Sequence, residues 1–375
     1  MKTFKQLSVA ALALVSLAAN AQVAIKTDAG DFKLTFKGRT HFDAAVFGGD
    51  LGKNEAGNHY NAVQMNDTRF GFIASFDEKW SAKAEMCFAN GGATFRDLYI
   101  GYKVDDKSSI QAGNFWMPFG YKILGPAYRF VENSSLDNTI NGISRKIGVA
   151  YTYSTDPLKF TFGIFSDGSV DASKQTNKGY NIAAKAIFRP ILDEHSVLHI
   201  GVAPLFTHTP NTVSFNTTAS TPTKSISLTS SSFADDQQYS VLRGEVEAIF
   251  ISGKFYTEAR YQHANVNTPG DENFKVGGIN LQAGFLLIGD QQNYNKANAY
   301  ATNVSPKNLE LTARYNHVAH NNGEENERIT NDVTVGLNYA FNKYLMTKLN
   351  WSHGQLKDND KANYNFVHLR FQFVF

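Results

Sequence analysis

The chain has 375 residues, with 36 Lys and Arg against 34 Asp and Glu, so its formal net charge is only +2, and 13% of its residues are aromatic. Abundant aromatic residues exclude a disordered chain, and the near balance of charge argues against a nucleic-acid-binding protein. One cysteine excludes a disulfide scaffold, and the lack of successive long apolar runs argues against a helical membrane protein.

The N-terminal segment has the pattern of an export signal. Two lysines precede an apolar stretch from Leu7 to Ala19, and Ala19-Asn20-Ala21 supplies the small residues of a cleavage site. The apolar stretch is too short to cross a bilayer as a helix. We therefore predict that residues 1–21 are a signal peptide removed after Ala21, and that residues 22–375 form the exported protein.

Alternating apolar and polar residues begin soon after this segment. Between Asp31 and Phe47 the even positions are mostly apolar, whereas Lys33, Lys37 and Arg39 are odd. Successive side chains of a strand point to opposite faces, so the pattern predicts a strand with one apolar and one charged face. About sixteen segments of this kind follow one another: 31–47, 70–76, 80–88, 97–104, 109–115, 147–153, 158–164, 180–189, 197–207, 242–250, 255–263, 279–287, 310–315, 333–341, 345–353 and 367–375.

The predicted connections alternate between short and long. Short turns such as 77–79 and 155–157 alternate with long polar connections such as 116–143. This asymmetry is typical of bacterial outer-membrane barrels, whose short turns face the periplasm. The Ser/Thr-rich stretch 207–238 is predicted to be an external loop, whereas 290–307 is long where a short turn is expected.

The two faces of the strands require different solvents. A charged face needs water, an apolar face needs a nonpolar surrounding, and the chain is exported. A bilayer around an aqueous lumen satisfies both, and closure satisfies every backbone hydrogen bond. We therefore predict an all-β fold, a closed antiparallel transmembrane β-barrel of about 16 strands in contact with outer-membrane lipid. The alternative is a secreted soluble β-protein that binds glycans, because two packed sheets would also bury one face.

Several short motifs resemble the phosphate-selective porin O and P family. The resemblance extends from Phe32 to the end of the chain, and it implies a homotrimeric, sixteen-stranded porin whose third loop, 116–143, folds inward to narrow the pore. The motifs are Phe95-Arg96-Asp97-Leu98-Tyr99-Ile100-Gly101-Tyr102, Gly113-Asn114-Phe115, Pro118-Phe119-Gly120, Arg145-Lys146-Ile147-Gly148-Val149 and Thr334-Val335-Gly336-Leu337-Asn338-Tyr339.

The inward faces and the third loop supply the candidate functional residues. Closure places the last strand beside the first, so we expect one basic wall facing an acidic one, a field that orients ions. The alternative is that these charges are hydrated wall residues paired across strands, as in any general porin. The expected basic residues are Lys33, Lys37, Arg39, Arg69, Lys348 and Arg370; the acidic ones are Glu85, Asp97, Glu245, Glu247, Glu258 and Glu310; and the loop residues are Lys122, Arg129, Glu132 and Asp137.

The expected function is passive diffusion of small hydrophilic solutes and ions, with a mild preference for small anions. The alternative in the same class is a phosphate- or polyphosphate-selective channel. The sequence contains no H-E-x-x-H, G-x-S-x-G or Walker motif, so we expect no enzyme activity, no metal and no cofactor.

Overall fold

A computed structural model describes most of the chain, and the predicted signal peptide, residues 1–21, lies outside the described part. Lys122 of the third loop lies outside it as well. The described residues are 22–27, 30–54, 56–89, 92–120, 128–140, 145–168, 170, 179–210, 213–220, 225–233, 239–267, 274–302, 305–321, 328–357 and 361–375.

In this part of the chain, sixteen antiparallel wall strands close into a barrel, which confirms the predicted fold class. β3 and β4 both pair with one side of β2, so they form a single wall strand interrupted at 66–68. The wall strands are β2 (Gly30–Gly48), β3 (Asn61–Met65) with β4 (Arg69–Phe76), β5 (Trp80–Cys87), β6 (Thr94–Lys103), β7 (Ser108–Trp116), β8 (Arg145–Ser154), β9 (Leu158–Ser166), β10 (Tyr180–Leu192), β11 (Ser196–Thr209), β14 (Tyr239–Ser252), β15 (Phe255–Asn267), β16 (Phe274–Ile288), β19 (Leu309–Asn321), β20 (Arg328–Ala340), β21 (Leu345–Lys357) and β22 (Lys361–Val374).

The closing seam has a register that differs from the expected one. β22 pairs with β2 from Arg39↔Val374 to Gly48↔Asn365, and on this side Arg370 is therefore opposite Asp43 rather than beside Lys37 or Arg39. The register of strands so far apart in sequence is set by the closure of the whole sheet, which local alternation does not specify.

The remaining elements are shorter and add no further wall strand to the closed barrel. β1 (Gln22–Thr27) forms a hairpin with the start of β2, and β12 (Val213–Ser220) pairs with β13 (Ser225–Phe233). β17 (Tyr294–Asn295) pairs with β18 (Tyr300–Ala301), and the short helix α1 spans Ser135–Ile140. None of the helices in the described residues is long and apolar enough to cross a membrane.

The two faces of the wall strands differ as the alternation predicted. On β14, Leu242 and Val246 are exposed on the outer face, whereas Arg243, Glu245 and Glu247 are buried on the inner one. The other long strands repeat this pattern, for example β15 and β22. The apolar outer surface is suited to lipid, and the inner surface holds the charges.

The described residues of the stretch predicted as an external loop, 207–238, contain regular strand structure. β11 continues to Thr209, and the β12–β13 hairpin occupies most of the rest. The side chain of Phe215 is fully buried, and its ring centroid is 5.5 Å from that of Phe274 on the inner wall. β-Branched threonines favour strands, so a Ser/Thr-rich composition did not by itself indicate irregular structure.

Candidate functional site

A cavity of about 670 Å³ lies inside the barrel, along the inner faces of β2 to β10. The wall strands supply its charged side chains, and residues 115–120 supply an apolar side. At another part of its surface lie residues 297–300, which belong to the connection between β16 and β19.

A continuous row of oppositely charged side chains runs along this cavity, and we call it the charge ladder. Its members alternate in sign along the row, so four cationic groups contact three carboxylates, which leaves one positive charge. The contacts are Arg39–Asp67 at 2.5 Å, Asp67–Arg69, Arg69–Glu85 at 2.9 Å, Glu85–Lys83 at 3.3 Å, Lys83–Asp97 at 2.5 Å and Asp97–Arg145 at 2.5 Å.

Every side chain of the charge ladder is partly exposed, with an exposed fraction between 12% and 18%, and all members except Asp67 line the cavity. Such groups keep water on one side, so they are screened less than surface charges and desolvated less than core charges. The ladder can therefore exchange hydrogen bonds with a passing solute.

Asp67 enters the ladder through an irregularity in the wall. It lies in the break between β3 and β4, with a backbone φ of 56°, a left-handed conformation that Asp and Asn tolerate better than most residues. Its carboxylate thereby meets both Arg39 and Arg69. Sequence alternation missed Asp67 because the residue belongs to no strand.

Arg145 was also missed, for a related reason. It is the first residue of β8, where it pairs with Trp116, and alternation assigned the inward face to Lys146. The guanidinium of Arg145 nevertheless reaches Asp97 and lies 4.8 Å from the centroid of the Trp116 ring. A long side chain at a strand end can turn toward either face, so period-two alternation is weakest there.

The apolar side of the cavity is a cluster of aromatic and sulfur-containing side chains. Phe115 contacts Tyr99 and Phe165 at ring-centroid distances of 5.9 and 5.3 Å. Trp116 and Tyr99 are half-buried at the cavity surface, whereas Met117 and Phe119 are almost fully buried. The cavity thus has a charged wall and an aromatic wall.

The described part of the third loop contacts wall residues across from this cavity. Three ion pairs hold it there: Arg129 to Glu310 at 2.9 Å, Glu132 to Arg314 at 3.1 Å, and Asp137 to Arg260 at 2.6 Å. All six side chains are no more than 2% exposed. The predicted loop residues Arg129, Glu132 and Asp137 therefore contact the wall and do not line the cavity.

Tyr128 begins this segment and contacts both the cavity and the wall. Arg314 Nη1 donates a hydrogen bond to the Tyr128 hydroxyl at 3.2 Å, and Lys348 donates to the Tyr128 carbonyl oxygen. Burial raises the pKa of Tyr128 to about 12, so its hydroxyl is neutral at physiological pH.

The six predicted basic residues fall into three groups. Arg39 and Arg69 line the cavity, as members of the charge ladder. Lys33 and Lys37 are exposed on β2 outside it. Lys348 and Arg370 are buried opposite each other on β21 and β22, and Arg370 Nε donates to Asp43 at 2.7 Å, so a carboxylate lies within the basic group at the seam. The third loop covers Lys348, an outcome that alternation along the wall strands could not reveal.

The six predicted acidic residues divide in a similar way. Glu85, Asp97 and Glu247 line the cavity. Glu258 and Glu310 are fully buried beside arginines, and Glu245 contacts Lys185 at 3.2 Å. Acids and bases are therefore neighbours on one wall, which matches the alternative of paired wall charges better than two opposed walls.

The connection between β16 and β19 folds back onto the inner wall. Arg189 donates to the Lys296 carbonyl oxygen at 2.9 Å, and Lys159 donates to that of Ala297. Gln292 accepts from Arg129 at 2.7 Å, so this connection also contacts the third loop. Its unexpected length is thus explained by the hairpin β17–β18, which contributes to the cavity surface.

No group of three or more His, Cys, Asp and Glu side chains in the described residues has an arrangement that could hold a metal ion.

Comparisons with known proteins identify a sequence family and a common fold. Residues 34–375 match the profile of the family described as phosphate-selective porin O and P. No curated protein matches the chain.

Several solved structures share the fold at low sequence identity. The outer membrane channel DcaP of Acinetobacter baumannii has a TM-score of 0.64 at 15% identity, covering 94% of this chain and 100% of that one. The anion-selective porin from Comamonas acidovorans has a TM-score of 0.61 at 13% identity, covering 92% and 100%. The trimer form of OmpT from Vibrio cholerae has a TM-score of 0.58 at 13% identity, covering 91% and 99%.

Proposed function

Because this chain belongs to the phosphate-selective porin O and P family and is a porin of the bacterial outer membrane, we propose that its cavity is part of a water-filled passage for small hydrophilic solutes with a mild preference for anions. The observation that carries the preference is the charge ladder, whose four cations and three carboxylates leave it with one excess positive charge. Charged rows of this kind bias which ions enter a pore.

The mechanism involves no covalent chemistry. A small anion exchanges part of its hydration shell for hydrogen bonds from Arg39, Arg69, Lys83 and Arg145 in turn. The intervening carboxylates hold these side chains in place and weaken each binding position. An anion can therefore enter and also leave, which conduction requires.

The third loop, 116–143, forms the constriction in this proposal. Residues 116–120 at its start, together with Phe115 near the end of β7, supply the aromatic wall of the cavity. The buried ion pairs of Arg129, Glu132 and Asp137 support a fixed position for residues 128–140 of the loop. A pore narrowed by a rigid segment discriminates solutes by size and by charge.

The protein acts as a homotrimer surrounded by outer-membrane lipid. The trimer form of Vibrio cholerae OmpT, which has a similar barrel, supports this assembly. Light scattering of the detergent-solubilised protein tests it, and a mass corresponding to one chain would contradict it.

Phosphate selectivity is the second candidate, supported by the description of the family. Two guanidinium groups converge on the single carboxylate of Asp67, an arrangement that would suit a doubly charged oxyanion. Asp67 itself occupies that position, however, so we favour small anions in general over phosphate in particular.

Reversal potentials in planar bilayers test the proposal. With a KCl gradient across the membrane, we expect the sign that indicates faster chloride than potassium permeation. Replacing KCl by potassium phosphate distinguishes a general anion pore from a phosphate-selective one, because a phosphate-selective pore would conduct phosphate and exclude chloride. A cation-selective pore would contradict both, and the absence of conductance by the folded barrel would contradict a passage.

A further inference from the structure

The cavity combines two chemically different walls, and the simple passage of inorganic ions uses only the charged one. Beside the ladder on the cavity surface lie Tyr99, Phe115, Trp116 and Phe119. A surface of aromatic side chains does not stabilise a chloride ion. It does stabilise an apolar group of an organic solute, because that group is removed from water when it contacts the rings.

We infer that the aromatic wall and the charge ladder together form a binding site for small aromatic carboxylates. This inference rests on the proposed passage, because the ligand must reach the cavity through the pore. The single positive charge left over in the ladder matches one carboxylate, and the flat rings of Trp116 and Tyr99 match one aromatic ring.

Arg145 connects the two walls. Its guanidinium lies over the Trp116 ring at 4.8 Å, while its Nε donates to Asp97 at 2.5 Å. A ligand whose ring stacks against Trp116 therefore has its carboxylate beside the ladder. Guanidinium groups bind carboxylates in a planar, directional manner, so this neighbourhood orients the ligand.

The aromatic wall is rigid enough to act as a binding surface. Phe115 is almost fully buried and packs against Phe165 and Tyr99, and Met117 and Phe119 belong to the same buried cluster. The half-buried Tyr99 ring is thus held from behind, and the Trp116 ring is held by the Arg145 guanidinium. The cavity volume of about 670 Å³ falls within the range of roughly 300–1,000 Å³ that is common for small-molecule sites.

Block of the chloride current by added organic solutes tests this inference. Potassium benzoate has both a ring and a carboxylate, potassium acetate lacks the ring, benzyl alcohol lacks the charge, and potassium cyclohexanecarboxylate has an apolar body without a π face. We expect benzoate to reduce the current at a concentration roughly three- to tenfold lower than cyclohexanecarboxylate does, the factor expected from one aromatic contact. Acetate and benzyl alcohol should block still less.

Variants separate ring recognition from general damage. Trp116→Leu should bring benzoate to the level of cyclohexanecarboxylate, and Trp116→Phe should retain most of the difference. Trp351→Leu is the matched control, because this tryptophan is exposed on the outer face of β21 and cannot contact a solute in the cavity. If Trp116→Leu does not fold, Tyr99→Leu gives a second test of the same wall.

The possible results have distinct meanings. Equal block by benzoate and acetate in a chloride-conducting wild-type pore would overturn the aromatic site and leave the passage intact. An unchanged benzoate block in both Trp116→Leu and Tyr99→Leu would also overturn it. A folded barrel without conductance would instead contradict the proposed function.

Discussion

Asp67 contacts two guanidinium groups of the charge ladder at once, those of Arg39 and Arg69. Each of the other two carboxylates is likewise shared between two cations. Removing one member therefore changes the net charge of the row and also releases its neighbours. The net charge of the ladder rises when a carboxylate is removed and falls when a cation is removed.

Replacing Asp67 by Asn should strengthen the anion preference. The substitution removes one of three carboxylates, so the ladder changes from one excess positive charge to two, and Asn tolerates the same left-handed backbone conformation. We expect the chloride-to-potassium permeability ratio to rise roughly two- to fivefold, as for an energy of about 0.5–1 kcal/mol at a partly screened site. Reversal potentials in a KCl gradient measure this ratio.

Replacing Arg145 by Gln should change the same ratio in the opposite direction. It removes one of four cations, which leaves the ladder without net charge, and we expect the ratio to fall by a similar roughly two- to fivefold factor. Lys343→Gln is the control, since Lys343 lies in the turn after β20 and not in the cavity. Identical reversal potentials in wild type, Asp67→Asn and Arg145→Gln would show that the ladder does not select ions.

At the scale of elements, the third loop differs from the wall strands in how it is held. Backbone hydrogen bonds fix each strand to two neighbours, whereas residues 128–140 are fixed by side chains, chiefly the three buried ion pairs. Two guanidinium nitrogens of Arg260 donate to the two carboxylate oxygens of Asp137, at 2.6 and 3.0 Å. Removing Asp137 leaves the buried Arg260 with one carboxylate partner instead of two, Glu258 at 2.9 Å.

Replacing Asp137 by Asn should loosen the loop without opening the barrel. Loss of one partner of a buried ion pair costs about 3–5 kcal/mol, less what the amide regains by hydrogen bonding. We expect noisier single-channel currents, with excursions to higher conductance. Asp106→Asn serves as the control, because Asp106 is exposed in the turn after β6. Quiet currents of wild-type size in Asp137→Asn would argue against a loop held by this pair.

At the scale of the whole molecule, the barrel has the reverse polarity of a soluble protein, because its apolar side chains lie on the outer surface and its charged side chains lie inside. Val335 near the middle of β20 and Phe341 just beyond its end both face outward and are exposed. Depth in the bilayer distinguishes them, because a charge is costly at the midplane and tolerated near the headgroups.

Replacement of Val335 or Phe341 by arginine should therefore lower the free energy of unfolding by different amounts. We expect Val335→Arg to lower the free energy of unfolding by ~2–4 kcal/mol and Phe341→Arg by ~0–1 kcal/mol. Urea titration of the protein folded into lipid vesicles measures both. Equal losses would mean that this face of β20 does not cross the lipid with Val335 near its centre.

The sequence alone determined the strands, their number and the face to which most side chains within them point. These follow from alternation with a period of two, which is a property of the extended backbone itself and needs no distant partner. All sixteen predicted segments lie within or overlap wall strands, and the apolar residues of β14 and β22 lie on the outer face.

Only the tertiary structure decided which inward charges meet the cavity. The third loop and the hairpins β12–β13 and β17–β18 cover part of the inner wall, so Lys348 and Glu310 are buried while Arg69 and Asp97 remain accessible. The partners in the ladder also depend on a strand break at Asp67 and a strand end at Arg145. Such contacts arise between residues far apart in sequence, and their geometry is fixed by closure and packing, for which a local repeat carries no information.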